Sequence, residues 1–217
     1  MSPPIPLAAD ADVAQLTQWL TEWSLLYPFS GDRTIQPVLW PAAGNFGAQE
    51  LQIIFDWKLG NRWKAVAAAQ VNTFDAANPG RIELMTGNAL TAPNDAAALA
   101  ALRGLPQVRG AQAVAVGSAI LMCLDPNRWT VIDVNANDAL VCLRNTIGGQ
   151  RNNTTNPLYE LAVPLWGFTP GANSNGNHPA LAVDWPDYMA VCRTIARMTM
   201  LSLRTVDRAL MQARRWR

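Results

Sequence analysis

Twelve consecutive residues, AVAVGSAILMCL at 113–124, carry no charge, and the run stops at Asp125-Pro126. It falls well short of the roughly 20 apolar residues a membrane span requires, so it reads as a helix of a folded domain. Proline ends it, because the ring removes an N–H and clashes with the preceding turn. A short β-branched stretch, Trp129-Thr130-Val131-Ile132, then leads to Asp133 at the mouth of the next helix. Asp133 can cap that helix through its side chain, or it can be a reactive carboxylate held in place by what precedes it.

Helical spacing recurs on both sides of this run. Val13, Leu16, Leu20 and Trp23 follow Asp10 and Asp12, predicting a first helix to about Tyr27. Pro28, Gly31, Pro37 and Pro41 then mark an irregular connector. A second helix runs from about Asn45 to Gly60 with Leu51, Ile54 and Phe55 on one side, and a third passes through WKAVAAAQV. Asn78-Pro79 and Asn94-Asp95 each read as a cap opening a helix. Asn135 to about Thr146 is another helix, and two more close the chain over about 185–200 and 202–216. Residues 148–180 are rich in Gly, Asn and Pro and read as a long surface excursion with one ordered turn near LYELAV. Alternating β patterns are almost absent, so the fold class is all-α, with eight or nine helices.

At 217 residues, half of them apolar, the chain can bury about 70% of its unfolded surface in one core or two small lobes. Cys123, Cys142 and Cys192 are odd in number and far apart in apolar surroundings, which predicts reduced thiols and a cytoplasmic protein. No basic segment followed by an apolar core opens the chain, so neither export nor membrane insertion is expected, and the sequon-like triplets at 152–155 carry no sugar. The net charge is only +1, with two lysines, Lys58 and Lys64, and one histidine, His178. That scarcity argues against a zinc site or a Ser-His-Asp triad. Residues 193–217 nevertheless hold seven arginines against one acid, Asp207. Such a run is either a solvated helix face or a phosphate contact, the latter through Arg204 and Arg208.

Residues 105–140, LPQVRGAQAVAVGSAILMCLDPNRWTVIDVNANDAL, resemble the helix-hairpin-helix DNA glycosylase superfamily, in particular a poorly characterised bacterial branch. The resemblance extends to Trp57-Lys58, to Ala89-Leu90-Thr91-Ala92-Pro93, to Gly117-Ser118-Ala119-Ile120-Leu121 and to Leu203–Leu210, covering about 50–145 and the last 30 residues. It implies two helical lobes around a cleft in a single domain. Residues 45–145 would form the hairpin lobe, and 1–44 and 181–217 a second layer. The partner it implies is double-stranded DNA, which would place the protein at a bacterial nucleoid.

In that family a Gly-rich hairpin offers backbone N–H groups to a phosphate, aided by a monovalent cation on carbonyls, the one cofactor implied. The hairpin contacts carried over are Gly104, Gly110, Ala111, Gln112, Ala113 and Ser118. An ungapped match sets Ala111-Gln112-Ala113 where the family has Gly-Val-Gly. Ser118 also reads as a small packing residue. The lysine that forms a Schiff base in strand-cutting members falls on Ala115, and arginine cannot replace it, so the implied chemistry is monofunctional. Asp133 would be the catalytic carboxylate, stabilising an oxocarbenium-like sugar as the bond to a flipped base breaks. Trp57, Lys58 and Trp129 are base-pocket residues on this reading, while Trp19, Trp23 and Trp63 are core. The alternative is a catalytically silent member of the fold that binds DNA or another protein.

Overall fold

A computed structural model describes residues 7–39, 44–59, 61–109, 113–167 and 185–213. Among these the chain is all-helical, with eleven α-helices, two 3-10 segments and no strand. No helix of the described residues is long and apolar enough to cross a membrane. The chain divides into two compact units. Among the described residues one contains 28–131 with Trp185, and the other contains 7–27, 132–167 and 186–213.

The first unit is built on α3 (Ala48–Leu59), α5 (Arg81–Leu90), α6 (Asp95–Ala101) and α7 (Ala113–Leu124), with α4 (Asn61–Ala77) laid along α3. The apolar run is its centre. Every residue of α7 from Val116 to Leu124 is buried, against α3, α5 and α6. A helix apolar on all sides can be stable only where neighbours cover its whole circumference. Gly117 allows α6 to approach, since a Cβ there would lie 2.5 Å from Leu99 Cδ1.

The expected connector after Tyr27 holds a short helix, α2 (Phe29–Ile35), and a 3-10 turn over Gln36–Val38. Pro28 sits at the N-cap of the one and Pro37 inside the first turn of the other, where a missing N–H costs nothing. The helix expected to open at Asn78-Pro79 begins instead at Arg81, after Gly80 in a left-handed conformation at φ +73°. Asn78 closes α4, its Nδ2 donating to Phe74 O at 2.9 Å.

The second unit joins distant parts of the sequence. α1 (Val13–Leu25) packs on α11 (Leu203–Ala213), and α11 on α8 (Val134–Ile147). A capping box fixes the start of α1, with Gln15 N donating to Asp12 Oδ1 and Asp12 N to Gln15 Oε1, both at 2.8 Å. Leu16, Trp19, Leu20 and Trp23 are buried along one face, and the two indoles meet edge-on at 6.1 Å. Trp19 and Trp23 are thus core, as expected; the Trp63 side chain lies outside the described residues.

The excursion predicted over 148–180 is largely structured where described. A 3-10 turn (Gly148–Asn152) leads to α9 (Tyr159–Gly167), which buries Leu161, Ala162 and Leu165 and packs on α8. The Gly and Asn content hid a genuine apolar face. Residues 168–184, with His178, lie outside the described set. α10 (Trp185–Thr199) completes the helices. α8, placed with the hairpin lobe by the resemblance, packs instead with the terminal helices.

Candidate functional site

In the first unit a turn follows α6, ahead of α7. Asn94 caps α6 by accepting from Ala97 N at 2.8 Å. After α6 the backbone turns twice, with Leu105 N bonded to Leu102 O at 3.1 Å and Val108 N to Leu105 O at 3.0 Å. Gly104 has φ +101° and Gln107 φ +63°. These left-handed positions mark a turn over residues 104–109.

Ala113 is already the first residue of α7, while Gly110, Ala111 and Gln112 lie outside the described residues. Gln107 is held in its conformation by a bond from Nε2 to Gln70 Oε1 on α4, at 2.6 Å. The amides of Gly104, Gln107 and Arg109 have no backbone acceptor among the described residues.

An open groove of about 780 Å3 runs between α4 and this turn. Val66, Ala69, Gln70 and Phe74 form one wall, and Gly104, Pro106 and Arg109 the other.

The connector after α7 is anchored in the same unit. Arg128 donates from Nη1 to Leu90 O at 2.9 Å and from Nη2 to Ala92 O at 2.6 Å, taking up carbonyls at the end of α5. Its guanidinium lies 4.2 Å from the centre of the Trp129 ring, whose Nε1 donates to Asp95 Oδ1 at 3.0 Å. Trp129 is fully buried. It is a core anchor and has no face left for a base, which corrects its placement as a pocket residue.

Ser118 is also fully buried, with Oγ donating to Ala115 O at 3.2 Å. Of its two readings, packing is the one the structure bears out, and the backbone contact is not. Trp57 and Lys58 stand half-buried in the last turn of α3. Lys64 pairs with Asp56 at 2.7 Å.

Thr130, Val131 and Ile132 are buried, and the chain emerges at Asp133. In the second unit Asp133 is the N-cap of α8, with extended backbone at φ −147° and ψ 179°. Its Oδ1 accepts from Asn135 N at 2.8 Å and from Ala136 N at 3.0 Å. Both capping bonds fall on one oxygen, and the residue is half-buried.

Tyr188 on α10 is fully buried. Burial first, then the charges of Cys192, Asp207 and Asp133, hold its hydroxyl well above its ordinary range, so it stays protonated. Arg204 forms an ion pair with Asp207, and its guanidinium lies 5.4 Å from the Tyr27 ring centre. Its side chain is only 11% exposed. Arg204 is thus an internal partner of Asp207, which corrects its reading as a DNA-backbone contact. Arg208 is half-buried on the same helix.

Sequence reasoning missed the Gln70–Gln107 bond, the Arg128 clamp and the position of Tyr188. Only the Arg128-Trp129 pair carried a local signal, as a cation beside an aromatic in a buried connector. Among the described residues no group of three His, Cys, Asp or Glu side chains could hold a metal ion. The chain matches no protein-family model, no curated protein and no solved structure.

Proposed function

We propose that the protein is a monofunctional DNA base-excision glycosylase, hydrolysing the N-glycosidic bond of a flipped damaged or mismatched base with Asp133 as its catalytic carboxylate. The observation that carries this reading is the state of Asp133. It is a half-buried carboxylate held by two capping amides at the positive end of α8. A group so held keeps a fixed direction. The turn in the other unit adds support, with three amides that have no backbone acceptor among the described residues and the exposed side chains of Arg103 and Arg109 beside them.

In this scheme the bond between base and sugar breaks first and its electron pair leaves with the base. The carboxylate of Asp133 stabilises the positive charge left on the sugar. Water then adds to the sugar carbon and gives its proton to Asp133, which returns it to solvent, while the departing base takes up a proton from water. No amine is required. That agrees with Ala115 on α7, where a strand-cutting relative would carry lysine. The reading keeps double-stranded DNA as the partner and leaves a monovalent cation at the hairpin carbonyls as its only implied cofactor.

The test is a panel of duplexes, each with one oxidised, alkylated, deaminated or mismatched base, assayed for alkali-labile abasic sites. At least one duplex is expected to be converted, and Asp133→Asn to abolish conversion while leaving binding intact. Salt-sensitive binding with every base left attached would replace the enzyme by a silent DNA-binding module.

A further inference from the structure

We propose that the groove between α4 and the hairpin turn receives the DNA strand held by that turn, seating an unpaired nucleotide with its base on the apolar wall and its phosphate at Arg109. This rests on the DNA-binding reading above and extends the contact beyond the hairpin itself.

The groove is continuous with the turn, because Pro106 and Arg109 are both hairpin residues and lining residues. A strand bonded to the turn amides therefore has this surface directly beside it. The opposite wall is one face of α4 on which Val66 is 45% exposed and Phe74 half-buried. From Ala65 to Ala77 that helix holds a single charge, Asp75, which does not line the groove. A solvated helix face ordinarily carries charges. Here small side chains such as Ala69 recede and leave room for a planar ring, with Phe74 and Pro106 as stacking surfaces.

Charge selects the occupant. The lining contains no carboxylate and one guanidinium, Arg109, while Arg103 is exposed at the other end of the turn. Apolar walls with cations beside turn amides that have no backbone acceptor among the described residues suit a phosphodiester strand, whose bases stack while its phosphates pair. Gln70 lines the wall at the level of the turn and is bonded to Gln107. The width of the groove is thereby tied to the hairpin conformation. The volume of about 780 Å3 falls within the ~300–1,000 Å3 of sites that take small molecules.

The experiment is fluorescence anisotropy on the full chain, with a single-stranded oligonucleotide and with a duplex carrying one abasic-site analogue. Arg109→Ala is expected to weaken single-strand binding about tenfold at low salt and to reduce the slope of log affinity against log salt by about 0.7. Ala69→Glu is expected to weaken binding at least as much, with unchanged circular dichroism and melting temperature. Ala14→Glu, an exposed site on α1, makes the same change in net charge and is expected to stay within about twofold of the wild type.

Equal affinities for Ala69→Glu and Ala14→Glu would overturn the groove assignment. If Asp133-dependent base release persisted in that case, the glycosylase reading would stand without it. A wild-type protein that binds neither DNA would overturn both. Ala69→Glu that splits a dimer in sedimentation, with DNA affinity unchanged, would make the groove a self-contact and overturn the proposal.

Discussion

Asp133 holds two roles that substitutions can separate. Its cap uses Oδ1 alone, for the amides of Asn135 and Ala136. An asparagine places an amide oxygen in the same position, so Asp133→Asn is expected to lower stability by no more than about 0.5 kcal/mol, whereas Asp133→Ala loses about 1 kcal/mol. Urea unfolding measures both. If base release vanishes equally in the two variants, the chemistry follows the charge and not the fold. Gln107 poses the opposite problem, because a left-handed conformation costs a residue with a Cβ about 1–2 kcal/mol. Gln107→Gly removes that cost and loses one hydrogen bond, so it is expected to leave the urea midpoint unchanged or raise it. Gln107→Val is expected to lower stability by about 2 kcal/mol, since a β-branched residue tolerates positive φ least. The aspartate was legible as a residue of interest because it follows a proline break and a buried stretch. The RGLPQVRGAQ stretch was legible as a turn between two helices, but its geometry was not, because nothing local in LPQVRG announces that a glutamine takes the position a glycine favours.

Between helices, the informative feature is the Arg128 clamp. Its two bonds to Leu90 O and Ala92 O satisfy carbonyls that the end of α5 cannot bond internally, and stacking on Trp129 holds the guanidinium plane. Hydrogen bonds from a charged donor contribute about 1.5–3 kcal/mol. Arg128→Ala is expected to destabilise by about 2–3 kcal/mol, and Arg128→Lys to recover less than half, since an ammonium cannot span both carbonyls or stack. Chemical denaturation of the three proteins decides this. Helix existence was readable wherever caps and apolar spacing coincided, as with Asp12, Asn94 and the α7 run. It failed in two places for identifiable reasons. Pro28 and Pro37 look like breakers but stand at helix starts, where proline is harmless. In α9 the apolar set Leu161, Ala162 and Leu165 was obscured by the flanking Gly, Asn and Pro, and by Pro164 within the helix itself.

At the scale of the whole molecule, helices far apart in sequence meet among the described residues, with α1 and α8 both packed on α11. The grouping of helices into units therefore stayed hidden, although the all-α class did not. One consequence of that long-range packing is testable by pH. Tyr188 and Cys192 stand one turn apart on α10, fully buried and hydrogen-bonded to each other. Burial is the largest cause raising both, the tyrosine well above its ordinary 10.0 and the thiol well above its ordinary 9.0. Both groups keep their protons in the folded chain at pH values where the unfolded chain has released them. The unfolded state then binds fewer protons, so stability falls as pH rises, and the contribution is complete below pH 9. Above that point each group removes up to about 1.4 kcal/mol per pH unit, the thiol from about pH 9 and the phenol from about pH 10. Urea midpoints are expected to be level from pH 7 to about 9 and then to drop with increasing slope. Tyr188→Phe has no phenol to ionise and should shed the steeper part beyond pH 10 while keeping the thiol's share. A midpoint curve for Tyr188→Phe parallel to the wild type throughout would mean that the hydroxyl is not sealed in the helical core.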